Sequence, residues 1–228
     1  MDPHLGHDNI RKHCGRPFDT TQAMDEALIA NYTRFVGKND DVIIGGDFAW
    51  RNHAHYLAQL PGYKTLIWGN HDNIQDYALR GFERVVGSRR HPGILEFGIG
   101  EHQLSVCHYP LMSWNASFHG SWHVHGHCHG RLPERADVFR ADLGVDVFQF
   151  RPVNFDVVRQ KMLNRREAWK KRMAEMANRH AAEESSDAFT VNAAENQLLV
   201  DPWLKLYVAY GPPNNDYRTR YKMRKGTK

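Results

Sequence analysis

Asp41-Val-Ile-Ile-Gly-Gly46 and Lys64-Thr-Leu-Ile-Trp-Gly69 are short apolar runs that each stop on glycine, as buried strands do. Between them, residues 51–60 read as a helix closed by the Pro61-Gly62 turn. Upstream, Thr20 or Thr21 offers a cap for a helix reaching about Val36, in which Met24, Ala27, Leu28, Tyr32 and Phe35 recur mostly three or four residues apart. Beyond Gly93 the pattern changes. Residues 94–99, 103–107, 122–124 and 138–148 read as strands with short links. A β-α-β first half followed by a β-rich second half predicts an α/β fold of two packed sheets with helices on their outer faces.

The frame for that fold is a chain of 228 residues, 41% apolar and 25% charged, enough for one globular domain with a sizeable core. No run approaches the roughly 18 apolar residues of a membrane span, and no basic-then-apolar leader opens the chain, so no membrane or export role is expected. Three cysteines (Cys14, Cys107, Cys128) without C-x-x-C spacing argue against a disulfide framework and for a reducing, cytoplasmic setting. The same lack of paired Cys/His spacing disfavours a zinc-finger module.

Charge and histidine divide the chain. Residues 1–155 carry 15 Lys/Arg against 17 Asp/Glu, whereas residues 156–228 carry 15 against 9, a net of +6. Fourteen of the 15 histidines lie between His4 and His129. Two regions follow: a histidine-rich body, 1–155, and a basic helical extension with a mobile tail, 156–228. In the extension Asn154 is the expected N-cap, and Val158, Met162, Trp169, Met173 and Met176 form an apolar stripe opposite Arg165, Arg166, Lys170, Lys171 and Arg172. A polar break is read at 182–187 and a docking segment at 197–210. The positive tail offers nucleic acid a sequence-independent attraction, although solubility or a protein contact would use the same charge.

Five segments place metal-binding groups beside glycine turns or strand ends: Asp2-Pro-His4, Gly46-Asp47, Gly69-Asn-His-Asp72, Cys107-His-Tyr-Pro110 and Gly126-His-Cys-His129. Alternate residues of an extended segment point the same way, so Asp2 with His4, and His127 with His129, can share an ion. Carboxylate, amide and imidazole donors without an obligatory thiolate suit Mn²⁺, Fe or Zn²⁺. Seven candidate donors, one a carboxylate able to bridge, match two ions better than one.

In that order the five blocks resemble the signature of the calcineurin-like metallophosphoesterases, D-x-H, G-D, G-N-H-[DE], H and G-H-x-H. The flanks His4-Leu-Gly-His7, Cys14-Gly-Arg-Pro-Phe18, Trp114 with His119-Gly120, and 144–152 are similar to a small bacterial and phage branch of single-domain phosphoesterases. The likeness covers about residues 1–158. It implies a four-layer α/β/β/α sandwich, with the strand that normally precedes D-x-H truncated here to Met1. It implies one ion on Asp2, His4, Asp47 and His129 and another on Asp47, Asn70, His108 and His127, with Asp47 bridging. Mn²⁺ leads as the metal, with Fe, Zn²⁺ or Ni²⁺ as alternatives. The implied reaction is hydrolysis of a phosphoester by a hydroxide that bridges the two ions, a phosphodiester being favoured. His71 is the implied general acid, oriented by Asp72.

His7, Arg16 and Trp50 are candidate substrate contacts. His123 and His125 read as supports behind the ligands, while His53, His55, His91, His102 and His180 read as surface residues. The alternative to an enzyme is a metal-binding scaffold or nucleic-acid-binding protein whose site is catalytically impaired.

Overall fold

The computed structural model describes residues 1–74 and 76–185. Seven strands and six helices follow one another as α1 (Asp8–Cys14), α2 (Thr21–Phe35), β1 (Asp41–Ile44), α3 (His53–Leu57), β2 (Tyr63–Ile67), α4 (Asp76–Leu79), β3 (Arg84–Val86), β4 (Ile94–Ile99), β5 (His102–Cys107), β6 (Trp122–His125), β7 (Arg140–Asp142), α5 (Phe155–Leu163) and α6 (Arg166–Ser185). The fold is mixed α/β. Among the described residues no helix is long and apolar enough to cross a membrane.

β1, β2 and β3 make a parallel sheet in that order, Ile44 pairing with Leu66 and Ile67 with Val86. The second sheet runs β4-β5-β6-β7, beginning as an antiparallel hairpin and continuing with parallel pairs. Alternation along the strands of the first sheet sends side chains to opposite faces. Val42, Ile44, Leu66 and Val85 join Met24, Leu28 and Leu57 of the helices in one core. Ile43, Ile67 and Val86, the intervening residues, join Leu95, Leu104, Val106 and Val124 of the second sheet in another. The first sheet is thus buried on both faces, which is why its strands read as continuous apolar runs.

Local signals place several elements as expected. Thr20 caps α2 by accepting the Ala23 N–H at 3.0 Å, and Asn154 caps α5 by accepting that of Asp156 at 2.8 Å. Residues 138–148 do not form one strand. Only Arg140–Asp142 is extended, because the Asp142 carboxylate then accepts the Gly144 N–H and bends the chain, and Gln149 and Phe150 take left-handed φ. The single helix expected after Asn154 is broken between Leu163 and Arg166. No strand precedes Asp2 among the described residues. Instead Asp2 N–H donates to Gly46 O and Val145 N–H to Met1 O, so the opening residues run between the end of β1 and the stretch after β7.

A compact unit spans Met1–Glu175. The boundary expected at 155 therefore falls inside packed structure: Val158 and Met162 of α5 are buried in the second core, with Trp169 of α6 packed against it. The basic face is also less free than the sequence implied. Arg165 is buried, donating to Val138 O, Arg140 O and Glu134. Lys161 pairs with Glu134 as well, and Arg172 with Asp137. The docking segment at 197–210 and the basic end lie outside the described residues, as do 186–187 of the expected polar break; its residues 182–185 instead continue α6.

On the second sheet His123 is fully buried, held between the Ser105 carbonyl on Nδ1 and the Leu111 N–H and Tyr109 carbonyl near Nε2, with Trp114 against its ring. Burial pushes its pKa down to about 4, despite the raising effect of those carbonyls. The unfolded chain takes up that proton near pH 6.5 and the folded chain only near pH 4. Stability from this residue is therefore complete above pH 6.5, falls as pH drops towards 4, and levels off below, a span on the order of 3 kcal/mol. Urea midpoints measured at pH 7 and pH 5 should show the native chain losing about 2 kcal/mol more than His123→Gln; equal losses would contradict this account.

Candidate metal centre

The carboxyl ends of four strands converge. Asp47 follows β1, Asn70 follows β2, His108 follows β5, and His127 and His129 follow β6. The N-terminal segment joins them through backbone bonds, His4 N–H to Asp47 O at 2.9 Å and Leu5 N–H to Phe48 O at 3.1 Å. Asp2, His4, Asp47 and His108 are all at most 2% exposed. Groups this polar are seldom buried together without a partner for their charge and lone pairs.

Five of these residues, Asp2, His4, Asp47, His127 and His129, have φ between 49° and 67°. Non-glycine residues rarely adopt that left-handed region, and its clustering at one place marks stored strain that turns side chains inward. Space is cleared at the same time. A Cβ on Gly69 would collide with the Asp47 carboxylate, and one on Gly126 with that of Asp2.

The imidazoles present lone pairs to the same oxygens. His108 Nδ1 lies 3.0 Å from Gly45 O, an acceptor only; with the N–H placed there, Nε2 of the neutral ring keeps its lone pair. That Nε2 faces Asn70 Oδ1 at 2.9 Å and Asp47 Oδ2 at 3.4 Å. His4 Nε2 lies 3.3 Å from the same Asp47 Oδ2 and has no hydrogen-bond partner. His129 Nδ1 donates to Asp146 Oδ2 at 2.7 Å, freeing its Nε2. Donor atoms of Asp2, His4 and His129 fall within 4.8 Å of one another, as do those of Asp2, Asp47 and His108. An orphaned buried nitrogen and lone pairs aimed at carboxylate oxygens are what a cation between them would satisfy, so the donor set fits divalent metal.

Electrostatics follow burial. The His4 pKa is pushed down by burial first, then by His129 and Arg16, and that of His127 by burial first, then by His108, keeping both neutral and able to ligate. Burial would lower His129 too, but Asp146 and Asp2 outweigh it and raise its value. Burial raises Asp2. It would raise Asp146 likewise, yet the His129 and Arg16 hydrogen bonds hold that carboxyl below its ordinary value.

The other candidates divide. His127 donates its backbone N–H to Asp2, and its exposed ring stands 5.2 Å from that of His108 and 4.8 Å from Tyr109, centroid to centroid. His71 donates its backbone N–H to Asp47 Oδ1 at 2.8 Å and leaves its ring exposed, 5.5 Å from His4. His7 and Trp50 stack at 4.4 Å beside it.

Two expected roles are corrected. Asp72 does not orient the His71 ring. Its carboxylate accepts the N–H groups of Asp47, Phe48 and Gly69 at 2.8–2.9 Å, pinning the turns that carry Asp47 and Asn70, and burial raises its pKa to about 6. Arg16 is not at the rim. Buried, it forks onto Asp146 and donates to Asp2 O and Pro3 O, so it braces the N-terminal ligands. His53 and His102, expected on the surface, are largely buried: His53 donates to Ala49 O and His102 stacks on Trp122. His180 lies where side chains are not described.

Sequence reasoning missed Asp142 and Asp146. Asp142 accepts the Gly130 and Gly144 N–H groups and so fixes the loop carrying His129, while Asp146 holds the His129 ring itself. Both lie at or beside the flank at 144–152, where their acidity was the available signal.

No protein-family model matches the chain. It is 28% identical over 170 residues to the uncharacterized protein MJ1445 of Methanocaldococcus jannaschii, the match covering 69% of this chain and 85% of that protein. The crystal structure of a protein of unknown function, AQ665 from Aquifex aeolicus, superposes with a TM-score of 0.53 at 18% identity, over 70% of this chain and 95% of that one. The latter likeness is one of fold.

Two substitutions test the supports. If the donors take up a divalent cation, Asp146→Asn, which loosens the His129 ring, should weaken its binding in calorimetric titration with Mn²⁺ by about 10–100-fold; unchanged affinity would remove Asp146 from the centre. Asp72→Asn puts an NH₂ group against backbone donors and should cost about 1–3 kcal/mol in urea unfolding. Undiminished stability would show that the carboxylate does not pin the turns.

Proposed function

We propose that the chain is a calcineurin-like metallophosphoesterase that hydrolyses a phosphodiester with the help of two divalent cations, Mn²⁺ first among them. The observation that carries this reading is the shared carboxylate: Asp47 Oδ2 lies 3.3 Å from His4 Nε2 and 3.4 Å from His108 Nε2, which approach from the N-terminal segment and from the end of β5. In this reading the parallel sheet, backed by helices on one face and the second sheet on the other, belongs to a four-layer α/β/β/α sandwich. The free state of Cys14, Cys107 and Cys128 is in keeping with a cytoplasmic enzyme.

Asp2, His4, Asp47 and His129 would hold one ion, and Asp47, Asn70, His108 and His127 the other. Such a pair supplies acidified water and neutralises charge on the phosphoryl oxygens. The chain's own residues do the rest. Asp72 and Asp142 fix the ligand turns, so little reorganisation is needed when charge develops. His71, anchored through its backbone on Asp47 but with an exposed ring, gives its proton to the departing alkoxide. His7 and Trp50 form a stacked wall beside His71 for the substrate's organic groups. A rim of His7, Trp50, His71 and Tyr109, with Arg16 buried elsewhere, suits a singly charged diester better than a doubly charged monoester.

Hydrolysis of bis-p-nitrophenyl phosphate with Mn²⁺ tests the proposal. His71→Ala should lower kcat by about 10²–10⁴ on a diester whose leaving group is an alkoxide, and by less on bis-p-nitrophenyl phosphate, whose aryloxide leaves without a proton, while bound metal is unchanged; Asp47→Asn should abolish turnover and reduce metal content. A metal-loaded chain without turnover on diesters, or turnover indifferent to Asp47→Asn, would overturn it.

A further inference from the structure

Away from the metal ligands, the β4–β5 turn, the start of β6 and the junction of α5 with α6 enclose a cavity of about 240 Å³. Two stacked ring pairs form part of its wall. His102 stacks on Trp122 at 3.9 Å and 22°, and Phe139 stacks on Trp169 at 5.1 Å and 25°. Gly120, at φ 88°, keeps the space before the second pair open: a Cβ there would rest 3.7 Å from Trp169 and 3.8 Å from Phe139.

Two features make this more than a packing gap. His102 Nε2 is buried and has no hydrogen-bond partner. The nearest carboxylate oxygen, Glu101 Oε1, stands 3.5 Å away, too far for a good hydrogen bond. Buried polar atoms of native proteins are nearly always satisfied, so an unpartnered nitrogen on a residue that lines the cavity leaves room for one more polar contact. The cavity is also bordered by Arg166 and Lys170, one turn apart on the exposed side of α6. Lys170 touches Glu167 at 3.0 Å, but both are well exposed and such a pair holds weakly. Arg159 adds its charge at His102.

We infer that this cavity is a second ligand site, built for a small planar aromatic molecule carrying one anionic group. The ring lies among Trp122, Phe139 and Trp169, a polar ring substituent meets His102 Nε2, and the anion rests on Arg166 and Lys170. The volume, below the roughly 300 Å³ at which drug-sized pockets begin, limits the ligand to one or two fused rings. Nothing in this depends on the phosphoesterase reading.

Two fluorescent probes that share a two-ring system and a hydroxyl separate the contributions: 5-hydroxynaphthalene-1-sulfonate, which is anionic, and 1-naphthol, which is neutral. With the full chain, both should bind saturably at one site. The double variant Arg166→Glu/Lys170→Glu changes only exposed side chains. It should weaken the sulfonate about tenfold or more and leave the neutral probe within about twofold. Trp169→Ala should weaken both. Absence of saturable binding by the native chain would overturn the inference, as would sulfonate affinity unmoved by the double charge reversal in a variant with native circular dichroism.

Discussion

One carboxylate organises the centre. Asp47 sits on a left-handed backbone at the end of β1, and its Oδ2 has ring nitrogens of His4 and His108 at 3.3 and 3.4 Å. Lone pairs facing a negative oxygen repel, and burial strengthens that repulsion because little water is there to screen it. Such an arrangement persists only if the surrounding chain forbids relaxation or a cation lies among the donors. The surroundings do forbid it. Asp72 grips the N–H groups on both sides of the Asp47 turn, Gly69 leaves room for the carboxylate, and His71 N–H holds Oδ1 in place.

The remaining acids work in the same manner. Asp142 binds backbone donors of the His129 loop, and Asp146 joins His129 to Arg16, which in turn holds the carbonyls of Asp2 and Pro3. A guanidinium fork on one carboxylate ties together segments 130 residues apart in the chain. Three aspartates outside the ligand set, Asp72 and Asp142 buried and Asp146 largely so, thus keep the donors stationary, and their charge is spent on N–H groups.

Local chemistry explains what could be read in the sequence. The strands that end on glycine and the α2 and α5 caps depend on residues within a few positions of one another and stand as read; Asp2, His4, His127 and His129 lie on left-handed backbone instead of the extended segments expected for them. The errors share a different cause. Residues 138–148 look extended because they are apolar, yet the bend at Gly144 depends on where the Asp142 carboxylate points. Asp72 follows His71 in sequence but turns to the backbone of Asp47, 25 residues earlier. The commitment of Arg16 to Asp146, and the burial of His53 and His102, are likewise properties of tertiary packing that residue type alone does not carry.

The donors are contributed by both sheets: Asp47 and Asn70 terminate strands of the parallel one, His108 and His127 strands of the mixed one. Any cation they grip spans the seam between the two layers and works as a rivet. Folding free energy and metal affinity then become linked quantities, so the cohesion of this protein would track the free-ion level of its surroundings, and a chelator would act on it as a denaturant does.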